Sequence, residues 1–122
     1  MYKIKVSAYF SGAHSLRQYK GKCESLHGHN WKVEAVVGAA KLDKAGMVMD
    51  FSRLKKILND ILDTLDHKHL NQLEYFKKAN PSSEEICRYI FDRLKPQVTK
   101  AKCKLCEVLV WETENSRASY SA

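Results

Sequence analysis

His27-Gly28-His29-Asn30-Trp31-Lys32-Val33-Glu34-Ala35-Val36-Val37 is the stretch on which the fold turns. Successive side chains of an extended strand leave opposite faces, so His27, His29, Trp31, Val33, Ala35 and Val37 share one side while Asn30, Lys32 and Glu34 share the other. One face is apolar and ends in two histidines. The same alternation occurs upstream, where Tyr2, Ile4, Val6, Ala8 and Phe10 oppose Lys3, Lys5, Ser7, Tyr9 and Ser11, and Gly12 and His14 continue the apolar side. The pattern predicts strands over residues 2–13 and 29–38, and an antiparallel pairing of the two brings His14 to His27 and His29. Neutral imidazoles at the end of a buried face need partners, and one metal ion satisfies three at once. Three histidine ligands leave the fourth position of a tetrahedral zinc open, as catalytic sites do. A surface loop carrying a few histidines, or satisfied core histidines, is the competing reading.

Cys23-Glu24-Ser25-Leu26 leads into this strand. Cys23 is placed either to join the ligands or to stand beside the metal as a nucleophile or base. Arg17, Lys20 and Lys22 lie just before it, where positive charge favours a thiolate or attracts a substrate phosphate.

The 122 residues are expected to form one domain spanning 1–122, with a core of ordinary size. No apolar run reaches membrane-spanning length, and Met1-Tyr2-Lys3-Ile4-Lys5 alternates like a strand instead of reading as a signal peptide, so a cytoplasmic protein without a membrane partner is expected. The four cysteines are too sparse for a secreted disulfide scaffold. Cys103-Lys104-Leu105-Cys106 has no second pair and runs into a predicted strand, which makes it structural. A net charge of +7 fits a solvated lysine-rich surface better than a nucleic-acid face, because the lysines are scattered and lack interleaved aromatics.

The remaining segments alternate helix and strand signals. Asp50 caps a helix whose stripe is Phe51, Leu54, Ile57, Leu58, Ile61, Leu62 and Leu65. It stops at Asp66-His67-Lys68-His69-Leu70-Asn71, where Asp66 beside His67 has the composition of an acid–base pair or of a solvated helix end. After Asn80-Pro81, Ser82 and Glu85 have capping-box spacing at the head of a second helix with Ile86, Ile90 and Leu94 on its buried stripe. Glu84 falls in that helix's first turn, a favourable place for a carboxylate in its own right. Residues 105–113 read as a third long strand in which Glu112 shares parity with Cys106, Val108 and Val110, putting a carboxylate on an apolar face. Residues 117–121 read as a short last strand. The predicted class is α+β: an antiparallel four-stranded sheet with two helices on one face, in the order strand, strand, helix, helix, strand, strand.

Six motifs in this order resemble the 6-pyruvoyltetrahydropterin and 6-carboxytetrahydropterin synthase family: Phe10-Ser11-Gly12-Ala13-His14, Cys23-x-x-x-His27-Gly28-His29-Asn30, Gly46-Met47-Val48-Met49-Asp50-Phe51, Leu65-Asp66-His67-Lys68-His69-Leu70-Asn71, Pro81-Ser82-Ser83-Glu84 and Trp111-Glu112-Thr113. The resemblance implies a tunnelling fold assembled as a trimer-based homo-oligomer, with a hexamer favoured, and a zinc enzyme acting on 7,8-dihydroneopterin triphosphate. It implies that His14, His27 and His29 are the zinc ligands and that Cys23 abstracts a proton. Asp66 and His67 correspond to a pair that completes the catalytic group across a subunit interface, and Glu84 and Glu112 to carboxylates that share pterin anchoring and charge relay. The three residues between Cys23 and His27 match the bacterial carboxy branch, which forms 6-carboxytetrahydropterin, acetaldehyde and triphosphate on the way to queuosine and other deazaguanines. The pyruvoyl branch is the alternative enzyme reading. A basic RNA-binding zinc module, with Cys23 as fourth ligand, is the alternative without catalysis.

Overall fold

The alternating segments form two long strands. In the computed structural model, which describes residues 1–22 and 24–122, β1 (Tyr2–His14) and β2 (His27–Ala39) pair antiparallel from Tyr2 opposite Ala39 to His14 opposite His27. Both strands extend past their predicted ends, so all three histidines lie within the ladder. The residues of one parity are buried, Val6, Phe10, Trp31, Val33, Ala35 and Val37 among them, while Tyr9 on the other face is 66% exposed. Phe10 and Trp31 face each other across the ladder with their rings stacked at 5.8 Å, a contact that fixes the end of the sheet where the histidines sit.

α1 (Phe51–Leu62) starts at Asp50, whose side chain accepts from the backbone N–H groups of Ser52 and Arg53. Its buried stripe is Leu54, Leu58, Ile61 and Leu62, whereas Phe51 at the first position is 59% exposed. α3 (Ser83–Lys100) is capped by the Ser82 hydroxyl, which accepts from the Glu85 N–H at 3.2 Å. Only half of the capping box forms, because the Glu85 carboxylate accepts instead from the Tyr75 hydroxyl at 3.0 Å. Ile86, Ile90 and Leu94 of α3 and the α1 stripe join the apolar face of the sheet in one core cluster. Leu58 is fully buried within it, so Leu58→Ala is expected to cost about 2–5 kcal/mol of unfolding free energy in urea titration.

The sheet departs from the expected four antiparallel strands. β4 (Lys104–Thr113) pairs with β2 and β5 (Ser116–Tyr120) pairs with β4, both antiparallel, but β3 (Lys68–His69) adds a fifth strand parallel to β1 at Gly12–Ala13, giving the order β3-β1-β2-β4-β5. His67 has a left-handed φ of 57°, which turns the chain out of the end of α1 and lays the next two residues along β1. Two residues carry no periodicity, so the sequence shows only a polar cluster there. A 3₁₀ turn at Leu70–Gln72 and a short α2 (Glu74–Lys78) also add to the two predicted helices. In β4 the register shifts opposite Val36 and Val37: Val108 pairs with Ala35 but Leu105, not Cys106, pairs with Val37. The extra residue exchanges the faces, which buries Leu105 and leaves Cys106 only partly covered. Among the described residues, no helix is long and apolar enough to cross a membrane.

Candidate metal centre and active site

The register of β1 and β2 places His14 opposite His27 and Gly12 opposite His29, so the three imidazoles leave the same face at one end of the ladder. His14 is 1% exposed. Its Nδ1 lies 2.7 Å from the Pro81 carbonyl oxygen, and the Nδ1 of His27 lies 2.8 Å from that of Ser25. A carbonyl only accepts, so each Nδ1 carries the proton and each Nε2 presents a lone pair to the other side of the ring. Those two Nε2 atoms are 3.1 Å apart. Two lone pairs facing each other at that distance call for a shared cation.

His29 completes the argument. Its Nε2 is buried without a hydrogen bond, although Glu112 Oε1 lies 3.2 Å away, outside hydrogen-bonding geometry. Burial, opposed by the Glu112 carboxylate and assisted by the neighbouring His14 and His27, holds the His29 imidazole below its ordinary pKa and therefore neutral, the form that binds a metal. The same Glu112 oxygen is 3.2 Å from His14 Nε2. One ligand atom from each of His14, His27, His29 and Glu112 lies within 4.8 Å of all the others. The donor set, three imidazole nitrogens and a carboxylate oxygen with outer nitrogens fixed by carbonyls, fits zinc or a similar divalent ion. Trp31 walls the cluster, edge-on to His14 and His29 at 4.9 and 5.1 Å, and its indole N–H donates to the Gly12 carbonyl at 3.2 Å.

The structure therefore gathers His14, His27 and His29 at one point, with the Glu112 carboxylate beside the three imidazoles. Cys23 lies outside the described residues. The flanking loop is anchored through others: the Glu24 N–H donates to the Leu16 carbonyl at 2.9 Å, and the backbone of Arg17 exchanges two hydrogen bonds of 2.8 Å with the Asn80 side chain. The Arg17 guanidinium donates to the Phe76 and Ala79 carbonyls, so its charge is engaged at the end of α2.

Asp66 and His67 form a second group. The Asp66 carboxylate accepts from the Ser11 N–H at 2.9 Å and its other oxygen is 3.0 Å from His67 Nδ1, so these adjacent residues do face each other. The left-handed backbone at His67 makes that possible. The Ser11 N–H, together with His67, holds the Asp66 carboxyl below its ordinary range. His67 is exposed and borders an open groove of about 490 Å³ lined also by Ser11, Gly28, His29, Asn30 and His69. Ser11 and Asn30 have the parity opposite to the histidines, and His29 alone of the metal cluster borders this groove. Glu84 is exposed in the first turn of α3, three residues beyond the Pro81 carbonyl that orients His14, and is not part of the four-residue cluster. Two supports are invisible to sequence reasoning, the carbonyls of Ser25 and Pro81, since a backbone oxygen carries no residue signature.

Comparison with known proteins gives the family. The profile described as 6-pyruvoyl tetrahydropterin synthase matches residues 3–122. A protein of Haemophilus influenzae named 6-carboxy-5,6,7,8-tetrahydropterin synthase is 33% identical, over 98% of this chain and 99% of its own length. A dihydroneopterin monophosphate aldolase of Pyrococcus furiosus is 34% identical over 90% of this chain and 89% of its own. The solved structure of Caenorhabditis elegans 6-pyruvoyl tetrahydropterin synthase superposes with a TM-score of 0.85 at 28% identity, covering 99% of this chain and 95% of that one. With a family profile matched over nearly every residue and full-length relatives above 30% identity, the chain belongs to the 6-pyruvoyl tetrahydropterin synthase family.

Proposed function

We infer that this protein is a zinc-dependent 6-carboxy-5,6,7,8-tetrahydropterin synthase, converting 7,8-dihydroneopterin triphosphate to 6-carboxytetrahydropterin, acetaldehyde and triphosphate in queuosine and deazapurine biosynthesis. The observation that carries the reading is the convergence of His14, His27, His29 and Glu112 at one end of the β1–β2 ladder. The Haemophilus relative and the three-residue spacing from Cys23 to His27 favour the carboxy product over the pyruvoyl one.

His14, His27 and His29 would hold the ion, each through Nε2. When bound, zinc supplies Lewis-acid polarisation of the substrate's side-chain hydroxyls. Glu112 reaches the cluster and offers a carboxylate to the amino and ring N–H donors of a pterin, a charge-assisted pairing. Cys23 is the base that takes a substrate proton, and His67, oriented by Asp66, is the acid that returns one. Glu84 stands by at the head of α3 for substrate binding or charge relay. Within one chain His67, held by Asp66, sits on the groove beside Ser11 and Asn30, which suits a pair that serves the site of a neighbouring copy.

An assembly is also favoured by the strand edges. β1 has a partner on its outer side only at Gly12 and Ala13, and among the described residues β5 has none on its own. Edges of that length are paired or covered in most proteins, and a homo-oligomer built on trimers, a hexamer foremost, pairs them with other copies. X-ray absorption at the zinc edge tests the site. A shell of nitrogen and oxygen at about 2.0 Å supports the assignment, and sulfur in the shell would make Cys23 a ligand and favour the non-catalytic zinc module. The reaction itself is tested by product identification after incubation with the triphosphate.

A further inference from the structure

The geometry points to Glu34 and Trp111 as a latch, on the face of the sheet away from the core, that aims Glu112 at the histidine cluster. The role is one of positioning and rests on the reaction inferred above. Glu112 sits where the sheet gives its backbone little support. The β2–β4 ladder ends at Lys32 opposite Trp111, one residue short of it, and the β4–β5 register slips between Trp111 and Thr113, on either side of it. Without a regular rung on either edge, ladder hydrogen bonds leave the direction of this side chain underdetermined.

Trp111, the residue before it, is fixed instead through its side chain. The indole N–H donates to Glu34 Oε1 at 2.5 Å, with Lys32 Nζ 5.5 Å and Arg117 Cζ 4.8 Å from the ring centroid. Glu34 is 6% exposed although its face of the sheet carries no helix, and its second oxygen is 3.4 Å from Lys5 Nζ. Burial pushes the Glu34 carboxyl up, but the Trp111 N–H and Lys5 outweigh it and hold the group below its ordinary range, so it accepts as a carboxylate. Trp111 reaches Glu34 on one face of the sheet while Glu112 reaches His14 and His29 on the other, so a rotation of β4 at Trp111 moves Glu112 as well. Holding the indole on one side therefore holds the carboxylate on the other.

The test uses metal-free protein and zinc, with affinity read by competition against a chromophoric chelator. Trp111→Phe removes the N–H and keeps a ring; Glu34→Ala removes the acceptor and keeps the tryptophan. Each is expected to weaken zinc binding about tenfold, the lower end of the effect of losing an outer-shell partner. Glu34→Gln, which retains an oxygen for the indole N–H, is expected to recover most of that loss. In a Glu112→Ala background, Trp111→Phe and Glu34→Ala are expected to add nothing, because the group they aim is gone. Unchanged affinity in both single variants, or the same tenfold loss with and without Glu112, overturns the proposal and leaves the pair a structural contact. Should Trp111→Phe fail to fold, Glu34→Ala carries the same cycle. Zinc affinities that follow this pattern in a protein without turnover of dihydroneopterin triphosphate would refute the inferred reaction and uphold the latch.

Discussion

Cys23→Ala is expected to lower turnover of 7,8-dihydroneopterin triphosphate by roughly 10²- to 10⁴-fold, the usual contribution of a general acid–base group, with zinc content at the wild-type level. The metal is expected to stay because, among the described residues, His14, His27 and His29 already supply three converging nitrogens. The fold is expected to be retained because, among the described residues, hydrogen bonds through Leu16, Arg17, Glu24 and Asn80 tie the flanking loop down. Zinc stoichiometry, melting temperature and single-turnover rate, measured on one preparation, separate the outcomes. Loss of zinc together with activity would assign Cys23 to the metal; full activity would remove it from the mechanism and leave the family assignment intact.

The opposite pattern is expected for His27→Ala. His27 Nε2 faces His14 Nε2 at 3.1 Å, so removing it takes away a ligand and not an outer partner. The loss of zinc affinity should exceed the roughly 10- to 100-fold cost of disturbing an outer-shell group, and activity should fall with occupancy. The stability of the metal-free protein should change little, since His27 is only partly buried and lies at the last rung of the β1–β2 ladder. Metal analysis after gel filtration, with a chelator titration beside wild type, reads the effect. Wild-type zinc content in His27→Ala would remove this residue from the metal site.

Much of this site is legible in the sequence because strand parity is a strong constraint. A one-residue slip would turn His14, His27 and His29 away from Trp31 and the core, so the alternation that defines the strands also brings the histidines together. Glu112 follows from the same rule, counted from Val108 and Val110 on its own side of the β4 bulge. Counting across the bulge misplaces Cys106, since an inserted residue leaves no trace in composition. β3 is hidden for a related reason: its pairing depends on the backbone turn at His67, not on apolar periodicity. Phe51 belongs to the apolar stripe by spacing, yet at the first position of α1 it stays largely exposed. Glu84 lies exposed in the first turn of α3, where a carboxylate is favourable for the helix alone, and its expected part in substrate binding comes from the motif.

The pyruvoyl, carboxy and aldolase relatives carry names for different reactions, so the product decides what the histidine cluster serves. The most direct measurement is mass identification of the products formed from 7,8-dihydroneopterin triphosphate by the zinc-loaded protein. Formation of 6-carboxytetrahydropterin with acetaldehyde and triphosphate is the predicted result. Accumulation of 6-pyruvoyltetrahydropterin, or unchanged substrate with zinc bound, would contradict it.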